Sequence, residues 1–389
     1  MSEKTGVALY SAVDARLTHY AVDVAAGTLA ARDTIELPAK VQYAWPHPTH
    51  RILYVATSSG GPGVPSDRNH VTALTIANDG SLRPHGEVRT LLRRAVHLCV
   101  DPAGEQVFSA HNFGGGGMTI HPIEPDGTLG VPVPQDDELA YGNYPHQVMV
   151  FPAGDRVLVV DRGINAKADA PEAPGALRSF GLDSGRLVPD QVVAPGGGFG
   201  FGPRHVVFHP TRPWLYVSDE RTNKLRVFVC PNGRVEPTPA FVCDTLAEPD
   251  KVRPRQLAGP IHIHPNGKFV YVANRSDHGA AAGAPFRGGE NNIAIFAIDE
   301  VSGAPTLVQH APTRSIHVRT FSIDPGGHML VAASIMGLDI AEEGRTRHVP
   351  AGLSVFKVGT DGTLSFLHRQ DVETTGDERH YWSGMVGLS

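Results

Sequence analysis

Apolar residues fall along this chain in short, nearly unbroken runs and not at helical spacing. VHLCV (96–100), HQVMV (146–150), RHVVF (204–208) and RTFSI (319–323) are four of them. Runs of this length and composition read as strands covered on both faces. No longer window keeps a 3.6-residue period, so very little helix is expected.

The runs recur together with their connections. A turn built on proline follows each of them or its counterpart, at Pro48, Pro102, Pro152, Pro210, Pro265 and Pro325, with spacings of 54, 50, 58, 55 and 60 residues. A glycine turn precedes a further strand at Gly27, Gly80, Gly127, Gly185, Gly233, Gly303 and Gly362. Each unit thus reads strand A, proline turn, strand B, loop, strand C, glycine turn, strand D. Four antiparallel strands per unit of this length make a propeller blade. The two turn types do not match in number. Residues 7–37 supply three strands with no strand A before them, and residues 380–385 supply a lone strand A. The tail is therefore expected to close the ring against the N-terminal strands as a seventh, composite blade. The predicted fold is all-β, a seven-bladed β-propeller of four antiparallel strands per blade, forming one domain over residues 1–389.

Composition changes this picture little. Gly 43 and Pro 32 suit a chain of many tight turns. A formal charge of -6 without a basic run argues against nucleic acid as partner. No apolar stretch is long enough to cross a bilayer. The three cysteines, Cys99, Cys230 and Cys243, are expected to be free thiols in a reducing compartment. With no apolar leader in MSEKTGVALY, a cytoplasmic location is expected, for a monomer or weak homo-oligomer.

Strand A lines the central channel of a propeller. The sixth residues before the six prolines are Gln42, Val96, His146, Arg204, Gly259 and Arg319; the fifth are Tyr43, His97, Gln147, His205, Pro260 and Thr320. The loops after strand B, at residues 57–69, 161–175, 274–292 and 334–352 among others, should emerge at the same end. They add His111, Asp161, Arg162, Asp219, Glu220, Arg275 and Asp277 to one mouth. Arg204, Arg275 and Arg319 together suit an anionic ligand, because guanidinium forks match carboxylate or phosphate and stay charged. Their alternative role is structural, pairing with Glu220, Asp219 or Asp277 to tie blades together. His146 has the intrinsic pKa of a proton shuttle, and Glu220 is base, acid or partner of Arg204. His97, His146, His205 and Asp161 would be the only metal candidates, but no ligand spacing such as HExxH or CxxC supports one. The glycine run 196–202 has no strand before it and no helix after it, so a dinucleotide site is not expected.

Pro145-His146-Gln147-Val148, residues 203–210 (PRHVVFHP), Tyr216-Val217-Ser218-Asp219-Glu220 and Tyr271-Val272-Ala273-Asn274-Arg275 resemble the lactonase family of seven-bladed propellers. The family's activities include hydrolysis of 6-phosphogluconolactone and formation of a lactone from 3-carboxy-cis,cis-muconate. The resemblance implies a catalytic set of His146, Arg204, Arg275 and Glu220, with no metal and no cofactor. Arg319 sits in an Arg-x-Phe element where the family's preceding proline is a valine here. Around that set, Arg319, His97, His205, Arg162, Gln42 and His317 are the expected substrate-binding residues. The expected function is hydrolysis of an anionic sugar-acid lactone, with muconate-type cyclisation second and a non-catalytic binding scaffold third. Which of His146 and Glu220 is the base stays open at this point.

Overall fold

The computed structural model describes residues 6–61, 64–113, 116–252, 256–276, 288–342 and 345–388. Seven inner strands surround a central channel: Lys40–Pro46, Ala95–Val100, Pro145–Val150, Pro203–Phe208, Gln256–Ile263, Val318–Ile323 and His380–Gly387. In that order they define blades 1 to 7. Each inner strand packs against the next, and His380–Gly387 touches both Val318–Ile323 and Lys40–Pro46, so the ring is closed. The closing strand pairs antiparallel with Val7–Val13, and the sheet continues through Arg16–Asp23 and Thr28–Glu36. The seventh blade is composite, as the strand count predicts.

The repeated turn residues act as latches between blades. Strand B tyrosines donate to the glycine-turn carbonyl of the following blade: Tyr10 to Gly80 at 2.7 Å, and Tyr54 to Gly127, Tyr216 to Gly303 and Tyr271 to Gly362, each at 2.9 Å. Proline-turn histidines donate instead to the glycine carbonyl of the next blade's proline turn, His47 to Gly104, His209 to Gly267 and His264 to Gly327. Glycine is required at these turns. At Gly303 the backbone has φ +78, and a Cβ there would lie 2.6 Å from the Trp214 ring. Between the blades the space is filled by buried strand side chains, for example Phe151, Phe201 and Phe228 between blades 3 and 4.

Some elements differ from the sequence reading. Blade 2 has three regular strands, not four. Its outer edge is the stretch after Leu129, where Pro132 and Pro134 have no N–H to give a ladder. Val133 still donates to Ile120, and the Gln135 side chain reaches across to Gly185 and Leu187 of blade 3. In blade 4 the outer strand shrinks to Phe241–Asp244, because Pro237 and Pro239 follow the short 3-10 turn Pro231–Gly233. The stretch 334–352 is not a plain loop but carries a hairpin, Leu338–Glu342 with Arg345–Val349. Asp277, most of the 274–292 loop and Gly114-Gly115 lie outside the described residues.

One irregularity is common to all seven inner strands. Each has a bulge where it starts, so that one residue has no pairing partner. The unpaired residues are Gln42, Val96, His146, Arg204, Arg319 and Tyr381, with Gly259-Pro260 opposing Ala273 alone in blade 5. A bulge bends the strand and re-aims the extra side chain. This is the ring that proline alignment picks out, completed by Tyr381 from the tail.

Candidate active site

The bulge of blade 4 and the strand B ends of blades 3, 4 and 5 bring one carboxylate and three guanidinium groups together. Glu220 follows the strand Trp214–Asp219, and its N–H donates to the Gly202 carbonyl, which fixes the turn. Its Oε2 receives Arg275 Nη2 at 2.8 Å and lies 3.0 Å from Arg204 Nε; its Oε1 lies 3.3 Å from Arg162 Nη1. Arg204 is 1% exposed and Arg275 3% exposed, so these are desolvated charges. Burial works against ionisation of Glu220, but Arg162, Arg275, Arg204 and Arg319 outweigh it and hold the carboxyl at about 2. The pairing considered for Arg204, Arg275 and Arg319 is thus present for the first two, and Arg162 joins them, with Glu220 as the shared partner of blades 3, 4 and 5.

That carboxylate does not balance the charge. Arg319, from the blade 6 bulge, acts on Arg204 and Arg275 as a further cation, and no hydrogen-bond or ion-pair partner is found for it among the described residues. A fifth arginine, Arg94, is 2% exposed and donates to Gln42 Oε1 at 2.7 Å and to Asn112 Oδ1 at 3.4 Å. Its ionisable neighbours are Tyr144, Arg319 and Tyr381. Tyr144 stands between the two groups of cations: it lies near enough to Arg94 to act on its charge, and the Arg162 guanidinium lies 4.9 Å above its ring. Sequence reasoning missed Arg94. It is the eighth residue before its proline, two steps outside the two positions read from the alignment. His317, at the same place in blade 6, shows that this position also faces the mouth.

The histidines form a layer beneath the arginines. His146 and His205 rings are 5.2 Å apart, His205 and His97 5.7 Å, and His97 and Tyr43 4.0 Å. Burial first, then Arg204, Arg319, Arg162 and Arg275, pushes His146 well below the usual histidine range, so the ring is neutral at pH 7. No other described residue hydrogen-bonds to the His146 ring, and its buried Nδ1 has no partner. His205 Nδ1 accepts from Arg204 Nη1 at 3.2 Å. His317 holds Arg275 from behind: its Nδ1 faces the Ser276 carbonyl at 2.6 Å, and its Nε2 lies 3.5 Å from Arg275 Nη1. His97 is fully buried with neither nitrogen paired. Its ring packs against Tyr43 and His205.

Two expected mouth acids sit elsewhere. Asp161 accepts from the N–H groups of Asn143, Tyr144 and Gly163 and pairs with Arg178. Asp219 accepts from Gly202 and Thr222 and pairs with Arg226. Both fix loop backbones, as carboxylates following a strand often do. His111 is likewise spent, on the Arg94 carbonyl and the Thr119 hydroxyl. Among the described residues no three His, Cys, Asp or Glu side chains group as metal ligands; the channel histidines meet ring against ring.

Below the histidine layer the channel widens into a cavity of about 290 Å³, walled by Tyr43, Trp45, Phe321 and Trp382 and touched by His205. It holds no arginine. The guanidinium charge is therefore gathered at the mouth, where five arginines face one carboxylate, and not in this cavity.

A closed ring of seven blades, with a cationic channel mouth around a neutral, unpaired imidazole, defines the class: a seven-bladed propeller whose charge is concentrated at one opening. A family model described as "Lactonase, 7-bladed beta-propeller" matches residues 7–336, and the chain belongs to that family. The protein named 6-phosphogluconolactonase from Yersinia pestis (strain Pestoides F) is 29% identical over 313 residues, covering 79% of this chain and 81% of the relative. The one so named from Serratia proteamaculans is 28% identical over 309 residues, covering 79% and 82%. Among solved structures, the Pseudomonas aeruginosa periplasmic gluconolactonase superposes with TM-score 0.71 at 20% identity, over 96% of this chain and 99% of its own. A protein from Lactobacillus plantarum does so with TM-score 0.66 at 19% identity, over 99% and 100%. Likeness at that identity speaks to the fold. Among the described residues no helix is long and apolar enough to cross a membrane.

Proposed function

We propose that this protein hydrolyses the ester of an anionic sugar-acid lactone, with 6-phosphogluconolactone as the leading substrate. The observation that carries the reading is a buried mouth with an excess of guanidinium charge around one neutral, unpaired imidazole. The names of the relatives support a sugar-acid lactone over the cyclising reaction. The three free thiols fit a cytoplasmic enzyme.

Base and anchor separate on electrostatics. Glu220 is held ionised at about 2 with both oxygens engaged by arginine. It is a poor proton acceptor and a good template for Arg162, Arg204 and Arg275. His146 is neutral and uncommitted, so it takes a proton from water as the water oxygen attacks the lactone carbonyl carbon. Charge then moves to the carbonyl oxygen, where Arg204 and Arg275 stabilise it. As the intermediate collapses, the ring C–O bond breaks and the alkoxide takes the proton back from His146. The products are the open acid and its hydroxyl, with no proton gained or lost by the enzyme.

The test is turnover by purified protein of 6-phosphoglucono-1,5-lactone, glucono-1,5-lactone and 3-carboxy-cis,cis-muconate. Lactone hydrolysis above the spontaneous rate is expected; conversion of the muconate alone, or of nothing, sinks the reading. The pH profile tests the base. An ordinary histidine near 6.5 would lose about three-quarters of its neutral form by pH 6. The depressed His146 keeps it, so kcat/KM should stay flat from pH 7.5 to 6. An acid limb centred at or above 6.5 would assign the proton to another group.

A further inference from the structure

We propose that Arg94, with the free amide of Asn112 and with Arg319, forms a second anion subsite that seats the phosphate of a phosphorylated sugar lactone across the mouth from Glu220. The proposal rests on the lactonase reading and names what makes that site selective.

The argument is one of charge and unused donors. Arg162, Arg204 and Arg275 share the Glu220 carboxylate and face the reacting carbonyl. Arg94 has no acidic partner among the described residues. It is 2% exposed, its side chain donates to the neutral oxygens of Gln42 and Asn112, and Tyr144 lies near enough to act on its charge. A desolvated guanidinium held by neutral dipoles is costly unless an anion completes it. Beside it, Asn112 is 4% exposed, and its Nδ2 is buried without a partner. Buried amide donors are normally satisfied. Because its Oδ1 already accepts from Arg94, the Nδ2 must be the side left open. Arg319 acts on Arg94 as a neighbouring cation and is likewise without a partner among the described residues. One guanidinium and one amide N–H thus lack an acidic acceptor side by side, with a second guanidinium, Arg319, near enough to act on the first.

The position suits a molecule anionic at one end and reactive at the other. Tyr144 lies between Arg94 and Arg162, so both halves belong to one continuous surface. Gln42 holds the Arg94 fork in place: its Nε2 donates to the Lys40 carbonyl at 3.0 Å, which turns its Oε1 toward Arg94. A phosphomonoester offers three acceptor oxygens and nearly two charges, enough for Arg94, Arg319 and Asn112 together. A carboxylate would satisfy fewer of them.

The experiment compares wild type with Arg94→Gln and Asn112→Leu on 6-phosphoglucono-1,5-lactone and glucono-1,5-lactone. The ratio of the two kcat/KM values should fall about 30-fold or more in Arg94→Gln and several-fold in Asn112→Leu, through KM for the phosphorylated substrate. Equal fractional losses on both lactones, or no loss on either, overturn the subsite. Titration calorimetry with 6-phosphogluconate and gluconate keeps this test separate from the lactonase reading. If wild type hydrolyses neither lactone but binds 6-phosphogluconate more tightly, and Arg94→Gln removes the difference, the lactonase reading fails and the subsite stands. If wild type shows no preference for the phosphorylated acid, the subsite fails whatever the turnover. A melting temperature near wild type confirms that each variant is folded, and Arg94→Lys, which keeps the charge but not the fork, should recover part of the preference.

Discussion

His146→Ala should lower kcat for lactone hydrolysis by about 10²- to 10⁴-fold, the usual contribution of a positioned proton carrier. Its melting temperature should match wild type or exceed it. The ring lies buried among arginines with an unpaired nitrogen, and removing an unsatisfied polar group relieves desolvation. Glu220→Gln provides the contrast. It takes the counter-charge from Arg162, Arg204 and Arg275 at once, and breaking a buried ion pair in this way costs about 3–5 kcal/mol. That variant should lose stability as well as rate. Melting curves and steady-state kinetics on both proteins check the assignment. If His146→Ala melts well below wild type and Glu220→Gln does not, the roles of base and anchor are reversed or absent.

Acidification should unfold the protein early. Seven histidines are pushed far below the ordinary 6.5: His97, His146 and His205 well below it, and His111, His121, His262 and His380 to about 4. In each case burial is the leading cause. Below about pH 6.5 the unfolded chain takes up protons that the folded one refuses, so stability falls with pH until the folded-state pKa is reached. Each group contributes about 1.4 kcal/mol per pH unit at full slope. Acting together over the same range, they make stability fall steeply with acidification, against the marginal stability of an ordinary domain. Glu220 cannot soften this, because its carboxyl stays ionised down to about 2. Cooperative unfolding between about pH 6 and pH 4 is expected by circular dichroism. A melting temperature at pH 4.5 within a few degrees of that at pH 7.5 would show that these rings are hydrated in solution.

Much of this was legible in the sequence because a propeller repeats. Proline turns and glycine turns recur, and their unequal numbers point to the closing tail. Aligning on the prolines selects Gln42, His146, Arg204 and Arg319 without knowledge of the bulge that presents them. The alignment fails where a position is unique to one blade. Arg94 precedes its strand and looks like half of an unremarkable Arg93-Arg94 pair; only the fold shows it buried between Gln42 and Asn112. Asp161 and Asp219 failed the other way. They stand beside Arg162 and Glu220 in the chain, yet a strand alternates faces, so one residue of each pair reaches the mouth while the other turns inward to hold its loop. The outer edge of blade 2 departs from the repeat because Pro132 and Pro134, which follow its glycine turn, have no N–H to give a ladder.

The most direct measurement is a crystal structure of the protein soaked with 6-phosphogluconate, the open acid. The account predicts its carboxylate within hydrogen-bond distance of Arg204 and Arg275 and next to the His146 ring, at the mouth formed by the seven bulges. Density for the acid in the aromatic cavity beside Tyr43 and Trp382, or on the outer surface with the arginine mouth filled by water, would contradict it.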